Sequence, residues 1–472
     1  MKFTVGKSIS AFLACVLLAA TFTGCNAKAP AASSSTATPT GPKVTVSIWT
    51  QNRSDATYVT PAIDNYNKTN KDNVTIDYKM YTDNFQQALD MAFASDSPPD
   101  LVSESGYMAV FTKYVTQGKY IAIDKYMTAA QTTEYKALKM TGINAYDGHF
   151  YYLPVLGTTG RLFYNKDIFS KVGITAPPTT ITEMTADAKK ITDQLGKSNG
   201  VYGFAMNLKS PSSALQRSLD FMVERSGGPE SGFDFKAGQY DFSFYAPFME
   251  QFKTIFTTGI AFPGCESLDI DPLRTQFAAG KIGMYISWSH ADPGVYANQF
   301  PTTQNWGVAQ VPTSTSKVYS QAIQPYGGLL ITKDSKNYDA DWAVLKNLFY
   351  DDNFVIGYAQ AGLASALPAT LQAKVKTPDL LKGKEEDLLG KNDKLWPATP
   401  DALNSQAVVI EGLDQYSTFM QMIYGKINID TGLTDLTKRY NDAYQKGISA
   451  GKGTKVQYSS FDPANPSTGT SK

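Results

Sequence analysis

From Val44 onward the hydrophobic pattern changes its period and then changes it back. Val44, Val46 and Ile48 alternate with polar residues, Val59, Ile63 and Tyr66 recur at helical spacing, and Val74, Ile76 and Tyr78 return to period two. A second helical stretch, Phe85 to Ala94, leads into Pro98-Pro99-Asp100-Leu101-Val102, a proline-punctuated entry to a third strand. Strand side chains alternate faces and helix side chains return about every 3.6 residues, so the order reads β-α-β-α-β. Strands alternating with helices build a mainly parallel sheet with helices on its faces. The predicted class is α/β. Ligands of such sheets bind beyond the carboxyl ends of the strands. Here those ends are Trp49-Thr50-Gln51-Asn52-Arg53 and Ser103-Glu104-Ser105-Gly106-Tyr107.

Further along, Thr180-Ile181-Thr182-Glu183 fits a capping box, and Met184, Ala188, Ile191 and Leu195 follow at helical steps. Trp342, Leu345 and Phe349 mark another helix, and Val409, Leu413, Tyr416, Met420 and Ile423 predict a third. Gly451 to Lys472 loses all periodicity and reads as a disordered tail.

Composition narrows the function. A chain of 472 residues is long enough for two or three domains, or one two-lobed body. Its 43 basic and 43 acidic residues cancel, which argues against a nucleic-acid partner needing a clustered basic face. Two histidines and three cysteines leave little from which to build a transition-metal site. The 28 Tyr, 25 Phe and 5 Trp supply many ring surfaces instead. Nucleotide and catalytic motifs fail. Gly447-Ile448-Ser449-Ala450-Gly451-Lys452-Gly453 has three residues between its first two glycines where a phosphate loop has four, and no hydroxyl follows the lysine. Asp430-Thr431-Gly432 is too sparse for a calcium loop. No cofactor and no metal are expected.

The first residues read as an address. Lys2 and Lys7 precede an apolar run from Ile9 to Phe22, the length of a signal-peptide core. The run ends in Thr21-Phe22-Thr23-Gly24-Cys25, which resembles the lipobox of bacterial lipoproteins, with Phe22 where Leu is usual. The resemblance implies cleavage after residue 24 and a lipidated Cys25 as the new first residue. Removing residues 1–24 deletes two lysines and no acids, leaving 41 basic against 43 acidic residues, a net charge of −2. Residues 25–42, rich in Ala, Ser, Thr and Pro, cannot bury enough apolar area to fold and form a flexible tether. Only Cys265 then remains in the body, as a buried, inert thiol.

Five segments carry a second resemblance. The first is Tyr152-Leu153-Pro154 followed by Leu162-Phe163-Tyr164-Asn165-Lys166-Asp167-Ile168-Phe169. The others are Pro99-Asp100-Leu101-Val102 with Gly118 to Asp124, Phe277 to Met284 with Ser287-Trp288, Trp306-Gly307-Val308-Ala309 with Gly327-Gly328, and Leu367-Pro368-Ala369. In their order along the chain they resemble the extracellular solute-binding proteins, family 1, that feed sugars to ABC importers, the family of maltodextrin-binding protein. The resemblance covers residues 43–450. It implies a two-lobed, periplasmic-binding-protein-like (type II) fold with the ligand cleft between lobes joined by hinge segments. One lobe would comprise 43–155 and 320–366, the other 156–319 and 367–450, before a tail at 451–472. The crossings would lie near 153–161, 316–326 and 363–370. Two departures stand out: the end of the first strand carries only Trp49 as an aromatic, and Ile286 replaces the glycine two residues before the tryptophan.

The implied function is capture of a sugar, an oligosaccharide above all, and its delivery to the transmembrane subunits of an ABC permease. The protein would act as a lipid-anchored monomer on the outer face of a Gram-positive cell membrane, without catalysis. Rival readings are a surface carbohydrate-active enzyme, or the same fold binding a peptide-like or polyol solute. A sugar site needs aromatic plates to stack on C–H faces and planar or charged groups for its hydroxyls. Trp288 is the leading stacking candidate, because the family places a tryptophan there, and Trp49 ends the first strand. Trp396 lies in an aperiodic stretch readable as pocket loop or surface loop, while Trp306 and Trp342 read as structural. Asn52 and Glu104 sit on strand-end loops. Tyr107, Thr159, Tyr326 and Gly328 are placed at or near the crossings by the resemblance. Arg161 reads as a hinge salt-bridge residue, and His290, two residues after Trp288, as a possible cleft-lining group.

Overall fold

β1 (Val44–Thr50) pairs in parallel with both β2 (Val74–Met80) and β3 (Leu101–Ser103). This computed structural model describes residues 43–466 apart from 54, 82–83, 104–107, 364–366, 377–381 and 383–391. The helices Ala56–Thr69 and Phe85–Ala94 make the two crossovers, where the change of period predicts them. A short hairpin, β4 (Ala145–Tyr146) and β5 (His149–Phe150), precedes the first crossing strand, β6 (Leu156–Thr158). The chain then enters a second sheet through β7 (Gly160–Asn165) and β8 (Tyr202–Phe204). After the hairpin β9 (Phe233–Asp234) and β10 (Gln239–Tyr240), that sheet is completed by β11 (Ile282–Trp288) and β12 (Trp306–Gln310). β13 (Gln321–Ala322) and β14 (Gln324–Tyr326) lead the chain back, β15 (Leu329–Ile331) joins the first sheet, and β16 (Asp393–Lys394) pairs with β13.

The first sheet has the order β15-β3-β1-β2, with β15 antiparallel to β3. Period two decides its packing. Val46, Ile48 and Leu101 face a core with Val59, Ile63 and Tyr66, while Val102 and Leu330 face a second cluster with Phe85, Leu89 and Phe93. The second sheet has the order β12-β7-β11-β8. There β7 is antiparallel to both neighbours and only β11 and β8 run in parallel. The mainly parallel expectation therefore holds for the first sheet alone.

The second lobe has one continuous core. It joins Phe163, Phe204, Met284 and Tyr285 to the helices Ile181–Ile191, Ala246–Thr257, Gln415–Ile423 and Ile429–Ser449. The Thr180 capping box is formed as read: its hydroxyl accepts from the Glu183 N–H at 3.2 Å, and Glu183 Oε2 accepts from the Thr180 N–H at 3.1 Å. Cys265 is buried, and burial raises its thiol pKa to about 11.

Three expectations are corrected. The third crossing does not lie at 363–370, because Leu367 and Leu371 pack in the core of the first lobe and Val375 packs against it. The helix read from Val409 begins only at Gln415, where Asp414 Oδ1 accepts from the Ser417 N–H at 2.7 Å; Val409 and Leu413 lie before it, exposed. The tail up to residue 466 is ordered against the second lobe. Val456 and Phe461 are buried, and the Tyr458 N–H donates to Phe235 O at 2.8 Å. An irregular segment held by single anchors has no period to reveal it. The expectations for residues 1–42, including Cys25, fall outside the described residues.

Candidate functional site

Two strand pairs form the passage between the sheets. β6 is antiparallel to β14, with Leu156 opposite Tyr326, and β13 runs parallel to β16. Charge pins this passage. Arg161, at the start of β7, pairs with Asp393 of β16, and both side chains are fully buried. The hinge salt bridge read for Arg161 is present, and its partner lies 232 positions away. Gln321 Nε2 donates to Thr159 Oγ1 and to Gly160 O, the latter at 2.9 Å. Glu224 Oε2 accepts from the Ala322 N–H at 2.8 Å.

These groups sit among further buried acids. Burial, then the nearby Glu230, pushes the Glu224 carboxyl well above its ordinary value. Burial, with Asp401 and Asp220 adding to it, lifts Glu230 to about 8. Burial likewise raises Asp220 to about 6, against hydrogen bonds from Tyr416, Tyr245 and Ser231.

Trp288 closes β11 beside this passage. Residues 282–287 of that strand are buried and Trp288 is half-buried, with Phe221 edge-on at 5.5 Å and Gly160 opposite in the ladder. A Cβ at Gly160 would lie 2.5 Å from the Phe221 ring, so the close approach of β7 requires glycine there. Past the strand end, the Ser289 N–H donates to Thr159 O at 2.9 Å, and His290 Nδ1 meets Thr158 Oγ1 at 2.8 Å. Burial drives the His290 pKa down to about 3, so the ring is neutral at physiological pH. Asp292 follows, with Arg274 Nε on one carboxylate oxygen at 2.8 Å and Nη2 on the other at 3.2 Å. Burial opposes ionisation of Asp292, but the guanidinium overcomes it and holds the carboxyl below its usual range.

The first lobe meets this wall through the loop after β1. Arg53 Nη2 lies 3.5 Å from Asp271 Oδ2, and Asp271 also contacts Arg274 at 3.1 Å. An ionic chain thus runs Arg53–Asp271–Arg274–Asp292 from one lobe into the other. Beside Arg53, Asn52 donates through Nδ2 to Asp55 Oδ2 at 2.8 Å. The lobes also approach where a Cβ on Gly294 would sit 3.4 Å from Leu363.

The candidates therefore separate. Trp288 and Thr159 lie together beside the passage, while the loop bearing Asn52 reaches the second lobe through Arg53 and Asp271. Thr159 is fully buried. Trp49 is half-buried within the first lobe against Tyr81 at 5.0 Å, with Lys79 Nζ over its ring. Gly328 is buried, and a Cβ there would lie 2.0 Å from the Tyr152 ring, so packing demands glycine. Trp396 is 3% exposed, donates Nε1–H to Ser320 Oγ at 3.1 Å and meets Phe461 at 5.3 Å; it is core, neither surface loop nor open stacking plate. Its edge borders a concavity of about 410 Å³ lined also by Lys139, Thr141 and Tyr458. Glu104 and Tyr107 lie outside the described residues, and Tyr326 is described only through its backbone pairing. Trp306 is buried in the core and Trp342 stacks on Tyr126. Asp55, Asp271, Arg274 and Asp393 escaped sequence reasoning, because nothing local marks an acid whose partner is distant in sequence.

Comparison with known proteins gives this geometry a family. The family described as bacterial extracellular solute-binding protein matches residues 49–353. A binding protein of Brucella abortus (strain 2308) is 29% identical over 216 residues, 44% of this chain and 48% of that protein. A Brucella suis biovar 1 protein matches to the same extent. The chain spans about half the length of these curated relatives. Among solved structures, RafE in complex with raffinose aligns with a TM-score of 0.66 at 16% identity, over 85% of this chain and all of that one. The GacH receptor of Streptomyces glaucescens, described unliganded and with acarbose, gives 0.67 at 17%, covering 86% and 99%. A ribitol-bound solute-binding protein of Agrobacterium radiobacter K84 gives 0.64 at 18%, covering 86% and 99%. At such identities the likeness establishes the fold.

Proposed function

This chain belongs to the bacterial extracellular solute-binding proteins, and on that premise we propose that it captures a sugar, an oligosaccharide above all, between its two lobes for an ABC permease. The observation that carries the reading is Trp288. A half-buried indole at a strand end, beside the strands that join two α/β sheets, offers the plate that a sugar's C–H face needs. Raffinose and acarbose in two structural neighbours support the same ligand chemistry.

The protein acts by binding alone and breaks no bond. Ligand contacts on both lobes favour the closed form by their differential affinity for it. Cys25 carries the lipid that keeps the receptor on the outer face of the membrane near its permease. More than one acyl chain is needed for stable attachment, since one chain is a marginal anchor.

A thermal-shift screen over oligosaccharides, monosaccharides and polyols tests the ligand class. A ligand that binds only the native state raises the melting temperature in proportion to the logarithm of its concentration. Oligosaccharides should give the largest shifts. A polyol or peptide hit with no sugar response would overturn the sugar reading, and new reducing ends in the incubations would overturn binding without catalysis. For the anchor, Cys25→Ser should move the protein from membrane to medium, and equal membrane retention would contradict it.

A further inference from the structure

Asp55 lies immediately before the helix Ala56–Thr69, at the far end of the loop that leaves β1 for the cleft. Its backbone carbonyl accepts from the N–H groups of Tyr58 and Val59, both at 2.9 Å, so the residue is fixed to the helix. Its side chain turns inward and the residue is 7% exposed. One carboxylate oxygen, Oδ2, accepts from Asn52 Nδ2 and from the hydroxyl of Tyr358, each at 2.8 Å. The other, Oδ1, is buried with no hydrogen-bond partner among the described residues.

A buried carboxylate oxygen without a partner costs free energy and is uncommon unless the group has a task. The loop held by Asp55 supplies the task. It presents Asn52, and its next residue, Arg53, reaches across to Asp271 of the other lobe. We propose that Asp55 is the positioning residue of the first lobe's binding loop, and that its ionisation state sets how firmly Asn52 and Arg53 are presented to the ligand and to the opposite lobe. This rests on the reading of the cleft as a sugar site.

Burial lifts the Asp55 pKa to about 7, so the group titrates in the physiological range. The titratable neighbours do not compete. Tyr78 on β2 is raised by its own burial and by the charge of Asp55. Tyr358 donates its proton to Asp55, Tyr58 stacks edge-on against Tyr358 at 5.5 Å, and Arg53 is turned towards Asp271. When ionised, Asp55 accepts both hydrogen bonds with charge assistance and grips the loop. When protonated, it accepts more weakly and its grip on Asn52 and Tyr358 loosens.

The test is ligand affinity by calorimetry from pH 5.5 to 8.5, using the best oligosaccharide from the thermal-shift screen. Affinity of the wild-type protein should rise about threefold to tenfold as pH passes through 7. Asp55→Asn should bind more weakly and lose the pH dependence. Tyr358→Phe removes a hydrogen bond that favours the ionised form, so it should shift the profile's midpoint upward while the protein stays folded. A flat wild-type profile, an Asp55→Asn profile like the wild type's, or an unmoved Tyr358→Phe midpoint each overturns the proposal. If no sugar binds at any pH, the cleft reading itself fails, which is a distinct result.

Discussion

Trp288 and His290 leave a strand buried along its length, with Arg274 and Asp292 matched to each other inside the same lobe. Across the cleft, the corresponding strand end is a loop held by one inward-turned acid, and its cation pairs with Asp271 of the opposite lobe. The second lobe therefore offers a fixed wall and the first an adjustable one. On the proposed reading, stacking against Trp288 would set how tightly a ring is held, and the loop of Asn52 and Arg53 would couple that occupancy to closure. The hinge belongs with the fixed side, since Arg161, Asp393 and Glu224 are all buried around it.

The largest effect is expected at the hinge. Removing one member of a buried pair strands the other charge, at a cost of about 3–5 kcal/mol. Asp393→Ala should lose that much stability in denaturant unfolding. A loss below about 1 kcal/mol would show the pair to be as weakly coupled as a surface one.

Next comes a contrast between two tryptophans. Trp396→Ala opens a cavity in the core and should cost about 3–5 kcal/mol of stability while the folded fraction still binds sugar. Trp288→Ala should leave stability nearly intact. Stacking removes on the order of 100 Å² of apolar area from water, part of the roughly 150–250 Å² an aromatic side chain can bury. At about 25 cal/mol per Å² this is roughly 2.5 kcal/mol, nearly two powers of ten in affinity. Unfolding and calorimetry on both variants decide the matter. The reverse pattern would move the binding site to the concavity beside Trp396.

A smaller effect comes from the acids near the hinge. Asp220 and Glu230 have folded pKa values of about 6 and about 8, each above the unfolded value near 4. A group raised in this way stabilises most below its unfolded pKa and loses that contribution as pH rises through its folded one. The melting temperature should thus fall between about pH 4 and about pH 8, and Glu230→Gln should flatten the upper part of the fall. A melting temperature that climbs over this range would contradict the burial of these carboxyls.

What the sequence made legible follows the reach of local patterns. Period two and period 3.6 located β1, β2 and their helices, and the Thr180 box fixed a helix start to the residue. The same stepping misled at Val409 and Leu413, where helical spacing occurs without a helix and both side chains are exposed. Leu367 and Leu371 carry no mark of the lobe they join, because that depends on where the chain crosses. The resemblance singled out Trp288, which stands half-buried at its strand end. The partners that give the site its electrostatics were not legible: Arg161 and Asp393 are 232 residues apart, and Asp55 and Tyr358 are 303 apart.

On the proposed reading, a ligand bridges a fixed and an adjustable wall and draws them together. Small-angle scattering of the protein with and without a saturating oligosaccharide would show this. A smaller radius of gyration is expected in the bound form, with the decrease reduced in Arg53→Ala. An unchanged radius at saturation, with tight binding confirmed on the same sample, would contradict a cleft between moving lobes.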